Sequence, residues 1–188
     1  MKAFISVVIG FLMMVISTSA QANDFALALG IRSNSADSDN TGYSASTKTG
    51  VGIGAIGFFD IGQAFQLRSG FLYNQRNYTL TASGANDVEL NMAYVDIPVT
   101  AMYKFADYAG VFAGPVLGFL ASKECKPGSA CDTNKVDGTM LGLQFGASFK
   151  FAPQMGGEIY YEMIPTTFWK DQLKNARTVG FNLLVTFE

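Results

Sequence analysis

The stretch Tyr94-Val95-Asp96-Ile97-Pro98-Val99-Thr100-Ala101-Met102-Tyr103-Lys104-Phe105 decides the fold. Its odd positions are apolar from Val95 to Phe105, while the even positions carry Asp96, Pro98, Thr100, Met102 and Lys104. A period of two is the signature of a β-strand with unlike faces. The same alternation recurs along the chain. It runs through Phe25–Ile31, Val51–Phe59, Phe65–Asn74, Leu141–Phe151, Ile159–Met163 and Val179–Phe187, and less cleanly through 109–122. The pattern predicts eight strands of about 9–14 residues, the length a bilayer-crossing strand needs. No helical period is visible after Asn23.

The links between these strands alternate in length. Asp60–Ala64, Ala106–Tyr108 and Ala152–Met155 are short, whereas 34–47, 79–88, 123–138 and 165–176 are long and polar. Alternate short and long links make an up-and-down antiparallel meander, the layout of an outer-membrane barrel. Ahead of the strands stands Lys2, an apolar run from Ala3 to Ile16, and the Ala20-Gln21-Ala22 pattern. Those features predict a cleaved signal peptide over residues 1–22 and a barrel domain over 23–188.

Composition narrows the function. The 188 residues are 49% hydrophobic and 15% charged, against about 25% charged in an ordinary soluble domain. The net charge of −2 excludes the basic face that a nucleic-acid partner requires. The chain has no histidine. That removes Ser-His-Asp catalysis and most zinc sites, so neither cofactor nor metal is expected.

Periodicity alone does not say which face points outward, because a soluble lipid-binding barrel has its apolar face inside. Three features favour lipid outside. The polar face is rich in glycine (50, 52, 54, 70, 142, 146, 180) and poor in charge, unlike a solvated surface. Large aromatics (Phe25, Phe59, Phe65, Tyr103, Phe105, Phe149, Phe151 and Phe187) gather toward strand ends, as in an interfacial girdle. The last strand, Thr178-Val179-Gly180-Phe181-Asn182-Leu183-Leu184-Val185-Thr186-Phe187, is similar to the terminal signal read by barrel-assembly machinery, with its aromatic in the penultimate position. The expected fold is therefore an all-β, eight-stranded, antiparallel up-and-down transmembrane barrel.

Ser69-Gly70-Phe71-Leu72-Tyr73, Tyr94-Val95-Asp96-Ile97-Pro98-Val99 and Ala113-Gly114-Pro115-Val116-Leu117-Gly118 resemble the PorT-like outer-membrane β-barrel domain, a relative in shape of the small OmpA- and OmpX-type barrels. The resemblance spans the mature chain. It implies a fold and a membrane, and no single activity.

Projected onto the polar face are Arg32, Arg68, Arg76, Asp96, Lys104, Lys150, Glu158, Glu162 and Arg177. An eight-stranded barrel has room for side chains and none for bulk water, so charges there must pair. The expectation is a lumen charge network of five or six cations around Asp96, Glu158 and Glu162. Its role is that of a structural plug rather than a pore, a proton path or a carboxylate catalyst. Pro98 and Pro115 each remove a ladder hydrogen bond and predict a local bulge or bend.

Cys125 and Cys131 flank Pro127-Gly128 in the third long link. In an exported chain they predict a disulfide. The fourth link holds Phe168, Trp169 and Lys170, which suit a contact hot spot or, the favoured reading, an outer-leaflet anchor. The sequence thus points to a non-enzymatic outer-membrane barrel that presents long extracellular loops for stabilisation or for binding a partner. Its expected partners are outer-membrane lipid, barrel-assembly machinery during biogenesis and an extracellular partner. The alternatives are a lipid-modifying enzyme and a soluble periplasmic lipid-binding barrel. Small-barrel acyl-hydrolases resemble this chain in fold but rely on a His-Ser pair that it lacks.

Overall fold

The computed structural model describes residues 24–38, 43–82, 87–126, 136–165 and 173–187. The expected signal peptide at 1–22 lies outside them, as do Cys131, Phe168, Trp169 and Lys170. Eight strands follow in order: β1 (Asp24–Ser38), β2 (Tyr43–Asp60), β3 (Phe65–Ala82), β4 (Val88–Ala106), β5 (Ala109–Lys126), β6 (Thr139–Ala152), β7 (Met155–Ile164) and β8 (Leu173–Phe187). Each pairs antiparallel with the next, and β8 returns to β1, closing the barrel.

The register fixes the shape. From Phe25 the pairing passes to Gly57, Ser69 and Val99, then crosses to Pro115 in the register set by Pro98 with Val116. It continues through Leu143, Met163 and Arg177 and re-enters β1 at Ser35, a shear of ten residues. With strands about 4.8 Å apart and a rise of about 3.3 Å per residue, eight strands at that shear tilt by about 40° on a cylinder of about 8 Å radius. One residue then advances about 2.5 Å along the axis.

The apolar face points out. Leu27, Ile53 and Phe105 are 52%, 57% and 59% exposed, and their neighbours Leu29, Phe71, Leu141 and Ile159 share that face. This orientation is the reverse of a soluble lipid-binding barrel. Aromatic contacts gather at the short-turn end, where ring centroids lie 6.0 Å apart for Phe25–Phe59, 5.2 Å for Phe65–Tyr103 and 6.1 Å for Phe149–Phe151. With the axial rise above, the outward apolar band is about 25 Å tall, the height of a membrane-barrel belt.

The strands are longer than expected. They run to 19 residues in β4, and most of the polar segments read as loops at 34–47 and 79–88 are paired strand. Above the band the two faces exchange character. Outward positions there carry Ser46, Thr49, Asn77, Thr79 and Glu89, with Lys48 bonded to Glu89 at 2.7 Å. Inward positions carry a buried cluster of Tyr78, Leu80, Leu90, Met92, Tyr94, Val136, Met140, Ile164, Leu173 and Ala176. The Ser/Thr/Asn content that suggested loops is the solvated face of strands standing in water. By the same axial rise β4 reaches about 20 Å beyond the apolar band.

The prolines interrupt the pairing locally without shifting the register. Between β3 and β4 the pairing lapses at Ile97–Pro98 and resumes in the same register. Pro115 pairs regularly with Leu143. The β4–β5 ladder also lapses, at Val99–Thr100 opposite Gly114–Pro115, and resumes in the same register at Ala101–Ala113, so the missing N–H groups cost ladder bonds without a register shift. Register shifts occur elsewhere, between Thr47 and Gly52, at Ala93/Tyr94 and near the short turns.

Candidate functional site

The inward positions of the strands converge on one feature, a set of ionised side chains in the barrel interior. Among the described residues the buried charged groups are Arg32, Arg68, Arg76, Asp96, Glu158 and Glu162. Three cations face three anions, so the lumen is neutral in formal charge. The expected excess of cations does not arise, because the remaining basic residues sit at the barrel's ends. Lys104 is half-buried at the short-turn mouth and joins no ion pair among the described residues. Lys150 meets Asp24 at 3.4 Å in the same mouth, and Arg177 meets Asp37 at 3.2 Å outside, all four partly exposed.

The buried charges form two groups. In the lower one, Arg68 grips Glu158 in bidentate fashion, Nε to Oε1 and Nη2 to Oε2, both at 2.7 Å. Its Nη1 donates to Gln144 Oε1 at 3.2 Å, and Asn182 Nδ2 donates to Glu158 Oε2 at 3.2 Å. The guanidinium also lies over the Phe112 ring, 4.4 Å from its centroid. Both charges are fully buried. A planar fork matched to a carboxylate is the geometry in which an ion pair recovers its desolvation cost.

The upper group joins β1, β3, β4, β7 and β8. Arg76 Nη2 donates to Asp96 Oδ2 and to Glu162 Oε1, each at 2.7 Å. Its Nη1 reaches Thr178 Oγ1 at 3.4 Å, and Thr178 donates to Asn34 Oδ1 at 3.0 Å. Arg32 Nη2 donates to Asn74 Oδ1 at 2.5 Å and to Tyr160 Oη at 2.7 Å. Asn74 Nδ2 bonds Asp96 Oδ2 at 2.6 Å. Arg32 approaches Asp96 only to 3.9 Å.

Glycines make the room for these large side chains. A Cβ on Gly180 would fall onto the Tyr160 ring and hydroxyl, and a Cβ on Gly52 would fall onto Asn74 and lie 3.1 Å from Arg32 Nη2. The glycine-rich face seen in the sequence is thus the space into which long neighbours fold.

Apolar layers flank the upper group. The long-loop cluster lies above it, and a second cluster of Ala26, Ala28, Ile56, Phe58, Leu72, Met102, Phe112, Tyr160 and Leu184 lies below and surrounds the lower pair. At the short-turn end the lumen opens into a shallow vestibule lined by Phe58, Gln66, Met102, Lys104, Ser148, Lys150, Leu184 and Thr186. The described residues hold no group of three or more Cys, Asp or Glu placed to bind a metal.

The sequence reading did not single out Asn74, Gln144, Asn182, Tyr160 or Thr178 as partners. All have inward parity, and that parity was the available signal. Cys125 is buried near the end of β5.

A closed eight-stranded barrel with lipid-facing apolar residues outside and ionised residues inside is a small transmembrane β-barrel. The chain belongs to the outer membrane protein β-barrel domain family, whose model matches residues 14–163, and its place is the outer membrane. It is similar in structure to Ail, the attachment invasion locus protein of Yersinia pestis, at 12% identity and a TM-score of 0.53, covering 89% of this chain and 100% of that one. Ail in complex with the heparin analogue sucrose octasulfate aligns with a TM-score of 0.52 at the same identity and coverage. Neisserial surface protein A aligns at 17% identity with a TM-score of 0.49, covering 87% of this chain and 97% of that chain. At these identities the likeness is one of fold alone. No curated protein matches the chain. Barrels of this membrane generally have short periplasmic turns and longer extracellular loops.

Proposed function

We propose that this protein is a non-enzymatic outer-membrane barrel whose lumen is closed by its own side chains and whose extracellular end carries the binding surface. The observation that supports it is that, among the described residues, every buried charge lies within 3.9 Å of an opposite one, three cations against three anions. Glu158 and Glu162, the acids a catalyst would need, are each held by an arginine at 2.7 Å. A base locked in a buried ion pair is not offered to a substrate. The chain also lacks the histidine on which small-barrel acyl-hydrolases depend.

The extracellular part of the reading rests on the rigid strands that carry the long links, since binding residues concentrate on loops held by a scaffold. Phe168, Trp169 and Lys170 are the proposed contact or anchoring residues, and outer-membrane lipid is the proposed partner of the apolar band. The last strand is proposed as the segment read by assembly machinery. Cys125 and Cys131 are proposed to form a disulfide that staples the third extracellular link. Cys125 is buried and is not a free thiol. Intact mass of the native protein checks the bond, and two alkylatable thiols would refute it.

Planar-bilayer recording of purified, refolded protein tests the closed lumen. The expected result is a silent bilayer. Steady, reproducible channels would overturn the plug. For the loops, pull-down from native membranes with variants in the third and fourth extracellular links is expected to lose any captured partner. Retention by both variants would move the binding surface elsewhere.

A further inference from the structure

Hydrogen bonding in the upper charge group is incomplete in a specific place. Arg32 Nε and Nη1 and Asp96 Oδ1 are buried and have no protein partner, and Arg76 Nε is in the same position. The side chains of Arg32 and Asp96 are each 1% exposed, and Nη1 stands 3.9 Å from the Asp96 carboxylate. That is too long for a direct hydrogen bond. A single water can bridge polar groups across a gap of this kind. That distance runs to Oδ2, which already accepts from Asn74 and Arg76, so the carboxylate oxygen left without a partner is Oδ1. By contrast, every nitrogen of the Arg68 guanidinium has a protein acceptor.

We infer that the lumen contains a built water site between Arg32 and Asp96, sealed between two apolar layers. The chemistry selects water over other small species. The occupant must accept from Arg32 Nε–H or Nη1–H and also donate to Asp96 Oδ1. Chloride accepts but cannot donate, and it would add charge to a neutral layer. A metal cation cannot accept from a guanidinium. Water does both and leaves the balance of Arg32 and Arg76 against Asp96 and Glu162 intact. Buried waters characteristically serve such orphaned polar groups with two to four partners each.

The site has a consequence for closure. A hydrated layer is not itself a barrier to ions, so the barrier lies in the dry layers above and below it. Above are Tyr78, Leu90, Met92 and Ile164. Below are Leu72 and Phe112 with their neighbours. The inference deepens the closed-lumen reading and rests on it.

Water-selective NMR on 15N-labelled wild-type barrel in lipid nanodiscs tests it, because arginine Nε–H groups are read one by one. Arg32 Nε–H is expected to show transfer from a long-lived water. Arg68 Nε–H, bonded to Glu158, is expected to show none, and exposed Arg177 should exchange with bulk solvent. Arg32→Met assigns the signal: the Arg32 resonance and its water contact vanish while the heat-modifiable gel band of the folded barrel remains. A resolved Arg32 Nε–H as dry as that of Arg68, beside a visible contact at Arg177, would overturn the water site. Conductance of the same preparation reports on the closed lumen, so failure of one reading is distinguishable from failure of the other.

Discussion

Glu158→Gln keeps the shape of the side chain and removes its charge, which isolates the worth of the lower ion pair. In the wild-type barrel Glu158 accepts three hydrogen bonds, two from Arg68 at 2.7 Å and one from Asn182 at 3.2 Å. The substitution leaves Arg68 charged, fully buried and surrounded by Phe112, Gln144 and apolar neighbours. An uncompensated buried charge of this kind costs about 3–5 kcal/mol. Replacing both partners, Arg68→Met with Glu158→Leu, removes two desolvation penalties together and is expected to fall much closer to wild type. The assay is reversible urea unfolding in lipid vesicles, followed by tryptophan fluorescence and by the heat-modifiable gel shift. The four proteins of the cycle (wild type, Arg68→Met, Glu158→Leu and the double) give the coupling energy directly. A Glu158→Gln variant within about 0.5 kcal/mol of wild type, or a double variant worse than either single, would refute the claim that the pair is held by mutual compensation.

Leu29 lies near the middle of the apolar band, and Leu29→Arg is expected to cost about 2–4 kcal/mol in the same unfolding assay, against about 0–1 kcal/mol for Ser33→Arg at its upper edge. Equal costs would place the membrane elsewhere. Gly180→Val drives a side chain into Tyr160 and is expected to destabilise by about 1–3 kcal/mol, with the Arg32 Nη resonances shifting as their Tyr160 bond breaks. An unshifted Arg32 spectrum would count against the contact. Leu90→Ala, in the buried cluster above the apolar band, is expected to cost about 2–5 kcal/mol, whereas Glu89→Gln beside it on the solvated face should change little. Matching effects at the two positions would contradict the exchange of faces above the band.

Strand number and the shared face of Arg68, Arg76, Asp96, Glu158 and Glu162 were legible in parity alone, whereas the outward direction of the apolar face also needed the glycine-rich, charge-poor polar face and the aromatics at the strand ends. Alternation in a closed barrel leaves a residue only two destinations. Depth was not legible, since parity carries no axial coordinate. Lys104 and Lys150 share the inward face with Arg68 yet lie at the mouth, where water replaces the need for a partner. Pairing was hidden for the same reason. Arg68 meets Glu158 across 90 residues of sequence, and only the shear brings those two positions together. The polar continuation of β1 through β4 was misread because a strand with Ser and Thr outside and Leu, Met and Tyr inside lacks the apolar contrast of the membrane portion.

The exchange of faces along each strand also records how deep the barrel sits. On β1 the outward apolar series ends at Ile31 and gives way to Ser33. On β2 it ends at Val51 and gives way to Thr49, and on β8 it ends at Val179 and gives way to Arg177. Joined around the cylinder, these transitions draw a waterline that the covalent chain carries with it into any lipid. A bilayer thinner or thicker than the one this line was written for must deform to meet it, or the cylinder must lean. The cost of that adjustment is set by the barrel wall and the lipid alone, whatever the loops contact.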